Sequence, residues 1–344
     1  MTRLALVMIA RDEAHAIARA LASARPHVDR MIVLDTGSVD DTPAIAAKHG
    51  AELHHFTWVD DFAAARNAAL AHSDAAWNLV LDADEWIESG SASLGKLPAA
   101  GQLGLVRLDN RVDTPGQEAA SVWLPRLLPR GVRYEGRVHE QPVGVARSVR
   151  TGLVLGHDGY TAANLERKAG RNEALLMAEL QAAPDDAYLW YQLAREHQVR
   201  GHPPQAALCF AEALRLAPAD VPWRHGLVVR ALTALKTAGR LDEALDLAGA
   251  EIDRWPKSPD FYFALGDLYL ECASQNPEQA ATDFLPIVES AWKQCLEIGE
   301  QPDLDAAVAG RGSHMAAHNL AVFYETLGRK DEAARYRALA AKTR

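Results

Sequence analysis

Apolar and polar positions follow two different regimes along the chain. Up to about residue 90, with a short strand reading over Leu53–Phe56, apolar runs recur at Leu4–Ile9, Met31–Leu34 and Asn78–Leu81. Each is bounded by polar residues and is the length of a strand buried on both faces. Between the runs the apolar residues fall at helical spacing, as in Ile17, Leu21 and Ala24. Gly37 suits a tight strand-to-helix turn, and Asp40 or Asp41 suits a cap on the helix carrying Ile45 and Ala46. Asp60-Asp61-Phe62 opens a third helix through Arg66, Asn67 and Leu70. This alternation predicts an α/β, Rossmann-like, mostly parallel sheet of the doubly wound kind. Leu103–Leu108 reads as a further strand. Trp123–Leu128 reads as an edge strand, because Pro125 has no N–H for a ladder.

From about Asn164 the pattern turns to Ala- and Leu-rich helix with a repeat of about 34 residues, the period of tetratricopeptide helix pairs. The clearest unit carries Trp190, Leu193, Ala194, Gly201, Ala206, Phe210, Ala213 and Pro218. Others follow at Leu232, Gly239, Ala244 and Pro256, at Leu265, Gly266 and Tyr269, and at Leu320, Tyr324, Gly328 and Ala333. The third is stretched by an insertion around Ser274–Pro286. The expected organisation is therefore an α/β domain over 1–164 and an all-α repeat solenoid over 165–344.

Composition narrows the function classes. The chain has 344 residues, 49% of them hydrophobic, and a formal net charge of −10. An acidic balance argues against nucleic acid as the main partner. Cys209, Cys272 and Cys295 lie far apart in apolar helical patterns, which excludes a disulfide frame or zinc site and points to a cytoplasmic setting. The Leu4–Ala10 run is too short for a membrane span.

The chemistry concentrates in Leu81-Asp82-Ala83-Asp84-Glu85-Trp86, where a buried strand emerges from the sheet. Ligands of open α/β sheets collect at the carboxyl ends of strands. Two aspartates one residue apart there can share a hard divalent cation, which removes their mutual repulsion and can meet a diphosphate.

Four segments in order carry a resemblance: Ile9-Ala10-Arg11-Asp12-Glu13, Val33–Thr42 with Asp35-Thr36-Gly37-Ser38, Asp60–Asn67, and Leu81–Trp86. Together they resemble family-2 glycosyltransferases of the GT-A fold. The chain is most similar to the bacterial subgroup fused to tetratricopeptide repeats, which includes the S-glycosyltransferases of glycopeptide bacteriocins. The resemblance implies a nucleotide-sugar donor, usually a UDP-sugar, held with Mn²⁺ or Mg²⁺. It places Arg11 and Glu13 in a nucleotide-facing loop, Asp35 against the nucleoside, and Asp61, Arg66 and Asn67 along the donor site. It makes Asp82 and Asp84 the metal pair, Asp82 also facing the donor, with His157 completing the metal or diphosphate site. For the base of an inverting transfer it implies Glu140 first, in Val138-His139-Glu140-Gln141, and Asp158 second. The acceptor is then a peptide, a protein or a saccharide, and the repeats bind it or mediate self-association as a homo-oligomer. A non-catalytic repeat scaffold with a decayed, nucleotide-sensing domain is the rival, opposed by the intact acids at Asp35, Asp82 and Asp84. A nucleotidyltransferase would instead show a Gly-rich basic loop where Arg11-Asp12-Glu13 stands.

Overall fold

The computed structural model describes residues 2–99, 101–110, 121–145, 147–158 and 170–343. The chain divides into two compact units, Met1–Ala178 and Glu179–Arg344. The expected boundary at 164/165 lies outside the described residues.

The first unit runs β1 (Leu4–Ala10), α1 (Ile17–Ala24), β2 (Arg30–Asp35), α2 (Thr42–Lys48), β3 (Glu52–His55), α3 (Phe62–Ala71) and β4 (Trp77–Val80). It continues with β5 (Glu85–Ser89), β6 (Gln102–Asn110), β7 (Ser121–Pro129), β8 (Arg133–Glu135), β9 (Gln141–Val143) and β10 (Arg147–His157). Eight strands form one sheet in the order β3-β2-β1-β4-β7-β6-β10-β5, and β8 pairs with β9 apart from it. Strands β1 to β4 are parallel, as the alternation predicts. Beyond β4 the sheet is mixed: β7 is antiparallel to both neighbours and β5 is antiparallel to β10. This is a GT-A-like sheet.

Strand β1 shows why its apolar run is unbroken. Leu4, Leu6 and Met8 point into a core shared with Ile17 and Leu21 of α1. Ala5 and Val7 point to the other face, where Ala69 of α3 packs. Both faces are covered, so neither register can tolerate polar residues.

Trp123–Leu128 is not at an edge, contrary to the expectation from Pro125. Strand β7 lies between β4 and β6. Gly104 faces Leu127 while the next residue, Leu105, faces Pro125, so Arg126 is an extra residue in the strand. This is a β-bulge, and the ladder with β4 has already ended at Leu127. The proline thus sits where pairing is interrupted, and the bulge re-aims the side chain of Arg126.

The helical remainder comprises α4 (Arg171–Ala182), α5 (Ala187–Val199), α6 (Pro203–Leu216), α7 (Arg224–Thr237), α8 (Leu241–Glu251), α9 (Pro259–Gln275), α10 (Leu285–Ile298), α11 (His314–Thr326) and α12 (Lys330–Thr343). Helices α5 to α12 pack as four successive hairpins, the tetratricopeptide arrangement that the period predicts. Asp186 and Ser258 cap α5 and α9 through their side chains. The segment between α10 and α11 folds back on the array. The Asp305 carbonyl lies 2.5 Å from His225 Nδ1 on α7. Asp260 Oδ1 on α9 accepts from the Val308 N–H at 2.9 Å and from Arg311 at 3.2 Å. Among the described residues no helix is long and apolar enough to cross a membrane.

Small residues set the approach of α9 to α10. A Cβ on Gly266 would stand 2.5 Å from Trp292 Nε1. The variant Gly266→Ala is therefore expected to lose about 1–3 kcal/mol of stability to overpacking, despite alanine's higher helix propensity. Urea denaturation would measure the loss, and an unchanged midpoint would contradict this packing.

Candidate functional site

The site is built where the strand order reverses around β1, which pairs with β2 on one side and β4 on the other. In open α/β sheets a reversal of this kind opens a crevice at the carboxyl ends of the strands. Two loops line it and are sewn to each other. The Asp12 N–H donates to Ser38 Oγ at 3.0 Å, and Asp12 Oδ1 accepts from the Val39 N–H at 2.8 Å. The Glu13 N–H donates to Thr42 Oγ1, and the Ala14 N–H to Asp40 Oδ2. Asp12 sits at φ 55°, a left-handed backbone that these reciprocal bonds hold in place. Asp40 also accepts from the Thr42 N–H, so it, rather than Asp41, supplies the cap bond of α2. Arg11 remains half exposed beside Asp12.

Asp35 ends β2 and is 4% exposed. Its carboxylate accepts from the Gly37 and Ser38 N–H groups at 3.2 Å and stands 3.6 Å from His55 Nδ1. Asp61 is the N-cap of α3 and accepts from the Ala64 N–H at 2.8 Å. Asn67 is spent on the backbone, donating to the Tyr134 carbonyl and accepting from the Tyr134 N–H. That pair pins β8, and with it the β8–β9 turn carrying Glu140, to α3.

At the end of β4 the acids meet two buried arginines. Arg66 donates through Nη2 to Asp82 Oδ1 at 2.6 Å and through Nε to Glu140. Arg126, aimed by the bulge, donates through Nη2 to Asp82 Oδ2 at 2.7 Å and to Glu85. Two guanidinium groups thus face three carboxylates. Burial opposes ionisation of Asp82, but Arg126 and Arg66 outweigh it and hold its carboxyl well below the ordinary range. Burial pushes Glu85 above its ordinary range, against Arg126, and the neighbouring Asp82 adds to the rise. Burial likewise pushes the Tyr134 phenol up to about 12. The arginines are 7% and 9% exposed at the side chain, whereas Asp82 keeps 33% of its own open to solvent. Arg66 Nη1, Arg126 Nε and Tyr134 Oη are buried without a hydrogen-bond partner.

Asp84 points elsewhere. Its Oδ2 lies 3.5 Å from His157 Nε2 at the end of β10, and its carbonyl accepts from the Asp158 N–H. His157 Nδ1 lies 2.7 Å from Asn110 Oδ1, so in the neutral ring the lone pair sits on Nε2, toward the carboxylate. A carboxylate oxygen and an imidazole nitrogen turned toward each other fit a divalent cation. No group of three His, Cys, Asp or Glu side chains converges on one point among the described residues. Asp158 is ion-paired with Arg19, which stacks 3.6 Å over Trp86. Gly156 is required here, because a Cβ would come 2.2 Å from the Trp86 ring.

The structure therefore brings Arg66, Asp82 and Glu140 together, sets Asp84 with His157, and leaves Asp158 with Arg19. Arg126 and Glu85 were missed as partners by sequence reasoning. The available signal was a lone arginine inside the apolar run Trp123–Leu128, since a buried charge requires a partner.

Known proteins are similar to this chain in both of its parts. Residues 5–94 match the family described as Glycosyl transferase family 2. A TPR repeat-containing protein of Synechococcus elongatus is 34% identical over 272 residues, covering 72% of this chain and 65% of that protein. The prophage-derived glycosyltransferase SunS of Bacillus subtilis is 22% identical, covering 85% of this chain and 64% of its own length. The chain thus spans just under two thirds of these relatives. Among solved structures, MamA from Desulfovibrio magneticus has a TM-score of 0.40 at 15% identity, covering 52% of this chain and 90% of that one.

Two outcomes follow from the charge balance. Asp82→Asn removes the one carboxylate that both arginines share, leaving Arg66 with Glu140 and Arg126 with Glu85, and should cost toward the lower end of about 3–5 kcal/mol, because part of Asp82 is solvated. Glu85→Gln keeps the arginines matched and should cost less than about 1.5 kcal/mol in the same denaturation assay. The pH sign follows from the depressed carboxyl of Asp82. Its contribution is complete above the unfolded value of about 3.9 and is lost as pH falls below it. Melting temperatures across an acid series should decline there, and less steeply in Asp82→Asn.

Proposed function

We propose that this chain, whose residues 5–94 carry a family-2 glycosyltransferase domain, transfers a sugar from a nucleotide-sugar donor to an acceptor with inversion. The observation that carries this reading is the juxtaposition of Glu140, Arg66 and Asp82 beside the Asp84–His157 pair, at the crevice where donors bind in such sheets. UDP is the nucleotide best suited to Asp35, whose carboxylate can accept from a uracil imide N–H. Arg11 and Glu13 lie on the facing loop.

Asp84 and His157 would hold the divalent cation, with Asp82 presenting the second carboxylate of the pair. A cation bound there supplies charge neutralisation for a departing diphosphate. Glu140 takes the proton of the acceptor nucleophile. Arg66 orients it and at the same time fixes Asp82, so one guanidinium sets the spacing between the base and the donor end. Asp158 is held by Arg19 and serves to position the end of β10 behind His157. The tetratricopeptide hairpins present stacked surfaces suited to an extended acceptor, a peptide or protein in preference to a saccharide, or to self-association.

Calorimetric titration with UDP, with and without Mn²⁺, tests the reading. Wild type should bind UDP only with the metal, and Asp84→Asn should weaken that binding about 10- to 100-fold. Glu140→Gln should retain UDP affinity and lose about 10²- to 10⁴-fold in turnover of UDP-sugar. Absence of metal-dependent UDP binding in wild type would overturn the proposed donor.

A further inference from the structure

The turn that carries Asp84 holds three acids within four residues, Asp82, Asp84 and Glu85. A chain with that sequence has an electrostatic reason to spread apart unless a cation sits among the carboxylates. Arg126 occupies that role at two of them. Its Nη2 meets both Asp82 Oδ2 and Glu85 Oε1. Glu85 Oε2 in turn accepts from the Asp82 N–H at 3.0 Å, and the Glu85 N–H donates to the Asp82 carbonyl at 3.0 Å. Guanidinium, two carboxylates and three backbone groups thus tie the turn together. Arg126 is the residue that the β7 bulge adds to the strand next to Pro125. Without the bulge the alternation of β7 would direct position 126 by the ordinary register.

We propose that Arg126 is a positioning residue, a resident cation that holds the Asp82–Glu85 turn in its ligand-ready shape before any metal or nucleotide arrives. The tie itself stands on the geometry of Arg126. Its consequence for ligand binding rests on the donor-site reading above. Asp84 projects from inside the locked turn toward His157, so Arg126 holds the segment that sets the separation of that pair. Binding of a divalent cation then requires no reorganisation of the acidic turn.

The test separates charge from position. Arg126→Met leaves Glu85 buried without its counter-charge and is expected to fold poorly. The double variant Arg126→Met with Glu85→Gln removes one charge of each sign and keeps the protein folded for measurement. In the metal-free full chain, amide hydrogen exchange at residues 82–85 should be slow in wild type and clearly faster in the double variant. Mn²⁺ binding, read by electron paramagnetic resonance without nucleotide, should be about 10- to 100-fold weaker in the double variant. Arg126→Lys, a point charge without the planar fork, should fall between the two. A folded double variant with wild-type exchange and wild-type Mn²⁺ affinity would overturn the role of Arg126. Should wild type bind Mn²⁺ but not UDP, the donor reading fails while the comparison of Mn²⁺ affinities still judges Arg126. Should wild type bind no Mn²⁺, the metal site fails and the exchange rates alone decide whether Arg126 holds the turn.

Discussion

The first unit depends on one carboxylate shared between two buried arginines. Asp82 accepts from Arg66 on one oxygen and from Arg126 on the other. Each arginine then reaches a second acid on a different element, Glu140 in the β8–β9 turn and Glu85 at the start of β5. A helix, a sheet strand with its bulge, a hairpin and the end of β4 are thereby registered to each other through ionic hydrogen bonds. Buried charges are costly unless geometry and pairing are good. The network meets that requirement for most of its atoms, the donors left over being Arg66 Nη1 and Arg126 Nε, both buried.

The acids of the turn consequently divide their labour. Asp82 and Glu85 point inward to the arginines, whereas Asp84 points to His157, whose ring is oriented from behind by Asn110. Neighbouring carboxylates in the sequence thus have different partners, arginines for Asp82 and Glu85 and a histidine for Asp84. The two loops on the other side of the crevice rely mainly on neutral donors. They are held to each other by backbone N–H groups donating to side-chain oxygens in both directions, with Arg11 beside Asp12 and His55 beside Asp35 only at longer range.

Much of this was legible in the residue pattern, and the reasons for the exceptions are physical. Strands β1, β2 and β4 are buried on both faces and therefore read as apolar runs, so the ends of β2 and β4, and hence Asp35 and Asp82, were placed directly. The helical hairpins announce themselves by small residues at fixed spacing. Strand β7 was misassigned to an edge because the proline rule assumes regular pairing, and a bulge suspends it. The partner of Asp82 was hidden for the same reason, since the bulge that accommodates Pro125 is what turns Arg126 into the site. Glu85 read as part of a strand end, and its entry into β5 depends on pairing with β10, more than sixty residues later. No local pattern encodes a contact of that range. Asn67 and Asp61 belong to a segment whose motif suggested ligand contact, yet their polar atoms are engaged with Tyr134 and Ala64.

The segment that returns across the helices has a consequence for how the second unit unfolds. A simple repeat array is quasi-one-dimensional, each hairpin touching only its neighbours, and such arrays fray from their ends. Here the stretch from Asp305 to Arg311, which leads into the last hairpin, is anchored on His225 of α7 and Asp260 of α9. Loosening the last hairpin must therefore disturb bonds made two hairpins away. Nearest-neighbour cooperativity is supplemented by a longer tie, and the array should melt as a block where an untied one would peel.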